Sequence, residues 1–224
     1  MSSSPKAHAY VMPLDYSFMG LVSLSDMAQQ DPVSGRKKAS HDEAGGKVVQ
    51  TPADPVAAVS PSKSKPTAPA TAVSLRVSNN KISKLDDIHD ALHAVFDDPT
   101  KLQWLDLSGN ALTSIARGTF APYPGIFTLH LHGNKLHRYT DIDTVAESLP
   151  RLHSLTLHGN PVEEKKHYRN YVIASFPKLQ QLDFSSVTKG DRERAETWAT
   201  IYKSALTSPK RGRGSGGDAS GDQD

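Results

Sequence analysis

A chain of 224 residues carries 26 basic against 24 acidic side chains, and the resulting net charge of +2 is too weak to argue for nucleic acid or an anionic membrane as a partner. Its apolar share of 37% lies below the usual globular value, which assigns a good part of the sequence to no core. The absence of cysteine excludes disulfides, thiolate zinc sites and cysteine nucleophiles, and makes a reducing, cytoplasmic location the expectation.

Residues 1–30 lack the order of a signal peptide, because Pro13, Asp15 and Ser17 interrupt the apolar positions. No apolar run in the chain approaches the ~20 residues of a membrane helix. Within this region "PLDYSFMGLVSLSDM" concentrates Leu14, Tyr16, Phe18, Met19, Leu21, Val22 and Leu24. Burying those seven side chains is worth roughly 10 to 20 kcal/mol gross, whereas fixing the segment costs roughly 15 to 30. It cannot fold alone. It is expected to be a docking arm working through Leu14, Tyr16, Phe18 and Leu21, either on the chain's own repeats or on a partner. Residues 31–71 are Pro, Ala, Ser, Thr, Lys and Gly with almost no large apolar side chain, so a disordered linker is expected, spanning roughly 35 Å as a coil.

From residue 72 a single template recurs, L-x-x-L-x-L-x-x-N-x-L. Ala72, Leu75, Val77, Asn80 and Ile82 fit it loosely. Leu102, Leu105, Leu107, Asn110 and Leu112 fit it fully, as do Ile126, Leu129, Leu131, Asn134 and Leu136, and then Leu152, Leu155, Leu157, Asn160 and Val162. A fifth copy, Leu179, Leu182 and Phe184, has Val187 where the asparagine belongs. The copies recur close to the ~20 to 29 residues of a leucine-rich repeat. The physical reason for the pattern is that Leu-x-Leu buries alternate side chains of a short parallel strand, while the amides of Asn80, Asn110, Asn134 and Asn160 satisfy backbone groups where the chain turns out of it. The predicted fold class is therefore α/β: a solenoid of about five repeats over residues 72–187, with strands on the concave face and helices or 3₁₀ turns on the convex one.

Between strands, "SKLDDIHDALHAVF" has Ser83 and Asp86 spaced as a capping box, followed by apolar residues at helical period. "LTSIARGTFAPYP" is short and interrupted, predicting a turn. "TDIDTVAESL" and "EEKKHYRNYVIASF" are again helical, stopped by Pro150 and Pro177. Residues 188–206 are predicted to form a terminal cap helix with a capping box at Thr188 and Asp191, and with Trp198 and Tyr202 on the face that closes the solenoid. Residues 207–224 are a tail with nothing apolar to bury.

Strand alternation assigns the candidate binding residues. Arg76, Asp106, His130, Thr156 and Asp183 form one column of the concave face, and Ser78, Ser108, His132, His158 and Ser185 the next, with Trp104 in a third. His130 and His132 share a strand, and His158 neighbours His132. A zinc or copper site needs three or four converging ligands and some enclosure, and an open sheet offers little, so no metal and no cofactor is expected. Ser108, His132 and Asp106 are near neighbours, yet no nucleophile elbow, oxyanion loop or pocket accompanies them, so no catalysis is expected. The alternative of a metal-binding or hydrolytic protein working through His130, His132 and His158 is the weaker one. The glycine clusters follow no strand and open no helix, which excludes phosphate loops.

The last repeats resemble a known family. "HGNPVEEKKHYRNYVIASFPKLQQLD" carries the Asn160-Pro161 turn, Tyr168-Arg169 and the Pro177…Leu179…Leu182-Asp183 ending of the capped leucine-rich-repeat proteins found in axonemal, phosphatase-regulatory and spliceosomal subunits. The likeness runs from Pro13 to about Lys203 without the linker, and is strongest to cilia-associated members of that family. The resemblance implies a non-catalytic protein-binding scaffold, without small-molecule substrate, nucleic acid or membrane, placed in the axoneme of a cilium or flagellum. The alternatives it leaves are a regulatory subunit of a soluble phosphatase or of a ribonucleoprotein.

Overall fold

The computed structural model describes residues 12–38 and 72–203. Among the described residues one sheet contains all the strands in chain order: β1 (Leu14–Asp15), β2 (Ser74–Arg76), β3 (Trp104–Asp106), β4 (Thr128–His130), β5 (Ser154–Thr156), β6 (Gln181–Leu182) and β7 (Ser185–Ser186). β1 through β6 are parallel, and β7 turns back antiparallel on β6. In register the leucines stack: Leu14, Leu75, Leu105, Leu129, Leu155 and Leu182 stand side by side, and all are buried. The convex side carries α1 (Ile88–Val95), α2 (Tyr139–Ser148) and α3 (Tyr168–Ser175), with α4 (Lys189–Trp198) across the end. This is the predicted leucine-rich-repeat solenoid.

The asparagine ladder is the polar counterpart of the leucine stack. Asn134 donates through Nδ2 to the carbonyls of Leu107 (3.0 Å) and Leu131 (2.9 Å) and accepts the Leu112 N–H on Oδ1 (3.0 Å). Each asparagine thus bridges its own rung and the one before it. Asn110 and Asn160 repeat the pattern one rung to either side.

Asn80 extends it to the arm, donating to the carbonyl of Tyr16 (2.9 Å) and accepting from Leu21 N–H (3.0 Å). Tyr16 and Leu21 therefore stand where Leu107 and Leu112 stand for Asn134. The arm is a rung of the solenoid, with Leu14, Tyr16 and Leu21 spaced like Leu75, Val77 and Ile82, and with Met19 where an asparagine would be. This settles the two alternatives for the arm in favour of docking in cis. It also corrects the expectation of four partner-binding residues there, because Leu14, Tyr16 and Leu21 lie in the core and only Phe18, 77% accessible, faces outward.

The arm continues as a 3₁₀ turn, Leu24–Ala28, whose capping box of Ser23 and Asp26 was not anticipated from the sequence. It is pinned to the N-terminus of α1, where Asp87 accepts from the hydroxyls of Ser23 and Ser25 and from the Ser25 N–H. Burial pushes the Asp87 carboxyl up, but these bonds together outweigh it and hold the carboxyl below its ordinary range. Residues expected to open the linker belong to the arm: Val33 donates to the Asp15 carbonyl (2.7 Å), Ser34 accepts from the Asp15 N–H (3.0 Å), and Lys38 N–H reaches the Val95 carbonyl (3.0 Å). The antiparallel bridge they form covers the outer edge of β1. The rest of the expected linker, 39–71, lies outside the described residues.

Three further expectations are corrected. Ser83 and Asp86 make no capping box, since α1 begins at Ile88 behind Asp87. The helix expected over 163–176 is split, because His167 adopts a left-handed φ of 68° between a 3₁₀ turn at Pro161–Glu164 and α3. The fifth rung is a hairpin: Asp183 (φ 50°) and Phe184 (φ 61°) turn the chain back, and Phe184, expected to point inward, is exposed.

At the C-terminal end Thr188 and Asp191 do form a capping box. Bonds from the Thr188 backbone, and then the Arg169 guanidinium, hold the Asp191 carboxyl far below the usual range. Arg192 reaches back to the carbonyls of Ile173, Phe176 and Leu179, and so terminates α3. Trp198 is buried edge-on to Tyr171 and closes the core, whereas Tyr202, carried on a π turn (Ala199–Lys203), is half exposed and stacks on His167. The change of helical period at Ala199 takes Tyr202 off the buried face. Residues 204–206 of the expected cap and the tail, 207–224, lie outside the described residues.

Candidate partner-binding face

Because successive side chains of a strand alternate, each two-residue step along β2 to β5 that buries a leucine turns its neighbours to the concave side. At the N-terminal end, Arg76 lies between Asp15 and Asp106, 3.6 Å from each carboxylate, with its guanidinium carbon 5.3 Å from the Trp104 ring centre. Arg76 and the two carboxylates, with Ser17, Phe18, Val33 and Ser78, line a groove of about 370 Å³ that reaches His132.

From Trp104 a chain of rings crosses to the C-terminal end. Trp104 meets His130 edge-on at 5.5 Å; His132 stacks on His158 at 4.6 Å with planes 8° apart; and Phe184 contacts His130, His132 and His158 at 5.5 to 5.9 Å. Thr156 lies beneath them, its hydroxyl bonded to Nδ1 of His132 (2.8 Å) and of His130 (3.2 Å). Burial lowers the His130 imidazole pKa, and burial followed by the neighbouring His158 lowers that of His132, so both rings are neutral at pH 7.

The three histidines are thus brought together, but around a hydroxyl and an aromatic ring. Among the described residues no group of three or more His, Asp or Glu side chains could hold a metal ion. The hydroxyl that does approach His132, that of Thr156 at 2.8 Å from Nδ1, is fully buried and shared with His130. The Ser108 hydroxyl is committed to Asp106 at 2.6 Å.

Of the residues assigned to the face, Arg76, Trp104, His130, His132 and His158 remain partly accessible, while Thr156 is fully buried under the imidazoles and Asp106 is nearly so. Asp183 is turned toward its own chain: Oδ1 accepts the N–H of Leu157 (2.6 Å) and of His158 (2.9 Å), and Oδ2 the Tyr168 hydroxyl (2.8 Å). Burial and that carboxylate together raise the Tyr168 pKa far above its ordinary value. Sequence reasoning missed Asp15 and Phe184 as members of the face. The 14-16-21 spacing of the arm would have found the first; no local signal marked the second.

A curved parallel sheet with a leucine stack, an asparagine ladder and a helical end cap defines a leucine-rich-repeat protein. The leucine-rich repeat family model matches residues 72–207, and the chain belongs to that family. Within it the chain is similar to leucine-rich repeat-containing protein 51: the Rattus norvegicus protein is 36% identical over 186 residues, covering 83% of this chain and 84% of the relative. The Homo sapiens protein is 35% identical with the same coverage. U2 small nuclear ribonucleoprotein A' of Schizosaccharomyces pombe is 36% identical over 121 residues, 50% of each chain. Among solved structures, that of the Drosophila melanogaster SNF/U2A' complex aligns with a TM-score of 0.50 at 27% identity, over 58% of this chain and 70% of that one.

Proposed function

We propose that the protein is a non-catalytic scaffold that holds other proteins on its concave face, as a structural component of the ciliary or flagellar axoneme. The observation that carries the binding role is the run of partly exposed Arg76, Trp104, His130, His132 and His158 across a rigid sheet. Arginine and aromatic side chains held still in a concavity are the composition of interface centres. The axonemal, cytoplasmic placement rests on the family resemblance of the chain's motifs. Co-purification from isolated cilia, with wild type and with a Trp104→Ala/His132→Ala variant, tests both halves: axonemal proteins are expected to accompany the wild type and to be lost from the variant.

A second reading, a ribonucleoprotein subunit, is favoured by the likeness to U2 small nuclear ribonucleoprotein A' and to the SNF/U2A' complex. It predicts that the co-purifying partner is a single RNA-bound protein and not a set of axonemal ones.

A further inference from the structure

Phe18 and Phe184 lie at opposite ends of the concave face and share two properties that the fold does not require. Both are exposed, at 77% and 59%, and both hold a left-handed backbone, at φ 60° and 61°. At the position of Phe18, the later rungs place Asn79, Gly109, Gly133 and Gly159, residues that tolerate that conformation. The turn holding Asp183 and Phe184 is a two-residue hairpin with both residues at positive φ, for which Asn-Gly is the unstrained choice. A large aromatic side chain kept in a strained conformation, without being buried, points to binding.

The surface between them has a definite charge. On the strand columns of the concave face stand three carboxylates, Asp15, Asp106 and Asp183, against one guanidinium, Arg76, while His130 and His132 are held neutral. The face is therefore acidic on a chain whose net charge is +2. His132 lies within the field of both Asp106 and Asp183, and the stacked imidazoles with Phe184 offer aromatic faces beside those carboxylates. Phe18 and His132 line the same groove, and the Phe184 ring lies 5.8 Å from that of His132, so the two phenylalanines flank one continuous surface.

We propose that Phe18 and Phe184 are the two anchors of a site for a basic protein segment, whose lysine or arginine side chains lie over the histidine–Phe184 rings between Asp106 and Asp183. This deepens the scaffold reading and rests on it, by giving its partner a chemistry.

The test uses the purified full chain and two synthetic peptides of about 16 residues, roughly 24 Å long if helical. They are equal in apolar content, one bearing arginines and the other glutamates. Binding is followed by the imidazole NMR signals of His132 and His158. The arginine peptide is expected to bind, to weaken as salt is raised, and to lose at least about tenfold in affinity in a Phe18→Gly/Phe184→Gly variant. That variant is expected to melt at the same temperature or higher, because glycine relieves the left-handed strain. Equal or tighter binding of the glutamate peptide, unchanged affinity of the double variant, or no movement of either imidazole with the arginine peptide at millimolar concentration would each overturn the inference. If co-purified partners are lost with Trp104→Ala/His132→Ala yet retained with Phe18→Gly/Phe184→Gly, the anchors fall and the scaffold stands. If neither variant loses them, both fall.

Discussion

Asp183 Oδ1 accepts the N–H of Leu157 at 2.6 Å, a bond that every earlier rung gives to a main-chain carbonyl. Leu107 N–H goes to the His130 carbonyl, and Leu131 N–H to that of Thr156. The next carbonyl in that series would be that of Asp183, but the chain has turned away there into the β6–β7 hairpin, and the side chain stands in for the backbone. Glu163 does the same for Gly159 N–H, at 2.7 Å. The open edge of the ladder is therefore closed by carboxylates. Asp183→Ala leaves two partly buried N–H groups and the Tyr168 hydroxyl without their acceptor, and is expected to cost about 2 to 4 kcal/mol in denaturant unfolding, at the upper end of what charged hydrogen bonds contribute. A loss below about 0.5 kcal/mol would show that water replaces the carboxylate.

Asn134→Ala removes a buried amide that makes four bonds to two rungs. The Leu107 and Leu131 carbonyls and the Leu112 N–H would then be buried and partly unsatisfied, so a loss of about 1 to 3 kcal/mol is expected by chemical denaturation. Asn80→Ala is expected to fall in the same range and, because two of its partners are Tyr16 and Leu21, to loosen the arm as well. Hydrogen exchange reads this as faster exchange at Leu21 N–H.

Tyr16 tests whether the arm is a true rung. Its ring is fully buried, and its hydroxyl meets no hydrogen-bond partner among the described residues. Tyr16→Ala opens a cavity in the stack and is expected to cost about 3 to 5 kcal/mol. Tyr16→Phe removes only the unpaired hydroxyl, and is expected to be neutral or stabilising by up to about 1 kcal/mol. Burial, and then the charge of Asp31, pushes the Tyr16 phenol up to about 12. An ultraviolet titration is expected to show one tyrosine, absent in Tyr16→Phe, ionising near that value. A similar loss for both substitutions would place the ring outside the core.

Most of the stack was legible because its signal is repeated: Leu105-x-Leu107, Leu129-x-Leu131 and Leu155-x-Leu157, each with its asparagine, leave no other period open. The arm was legible as apolar but not as a rung. Its Leu14-x-Tyr16 and Leu21 keep the spacing, but Met19 replaces the residue that marks the turn, and a template read with its asparagine passes over it. The C-terminal end failed for the opposite reason. Alternation from Leu182 puts Phe184 inside, and only the left-handed backbone at Asp183 and Phe184, which neither residue type announces, turns it out onto the histidines. Thr156 was placed on the correct face of its strand. The rings of two neighbouring side chains cover it, a tertiary fact that alternation does not carry.

The pH dependence of stability follows from the same histidines. In the unfolded chain an imidazole titrates near ~6.5. In the folded protein burial is the leading cause that lowers His130, and burial followed by His158 lowers His132; Asp106, and for His132 also Asp183, oppose this without overcoming it. Well above pH ~6.5 both states are neutral and the histidines contribute nothing to the pH dependence. As pH falls through ~6.5 the unfolded chain takes up protons that the folded face still refuses, so the folded state loses stability, and the loss levels off only once pH passes below the depressed folded values. Carboxylates add their own losses only at lower pH, where Asp87, held down by Ser23 and Ser25, also begins to titrate in the unfolded chain. Urea midpoints measured between pH 7.5 and 5.5 are therefore expected to fall for the wild type and to fall less steeply for a His130→Gln/His132→Gln variant. Parallel slopes for the two proteins would mean that the imidazoles are solvated, and that the ring cluster over Thr156 is not closed in solution.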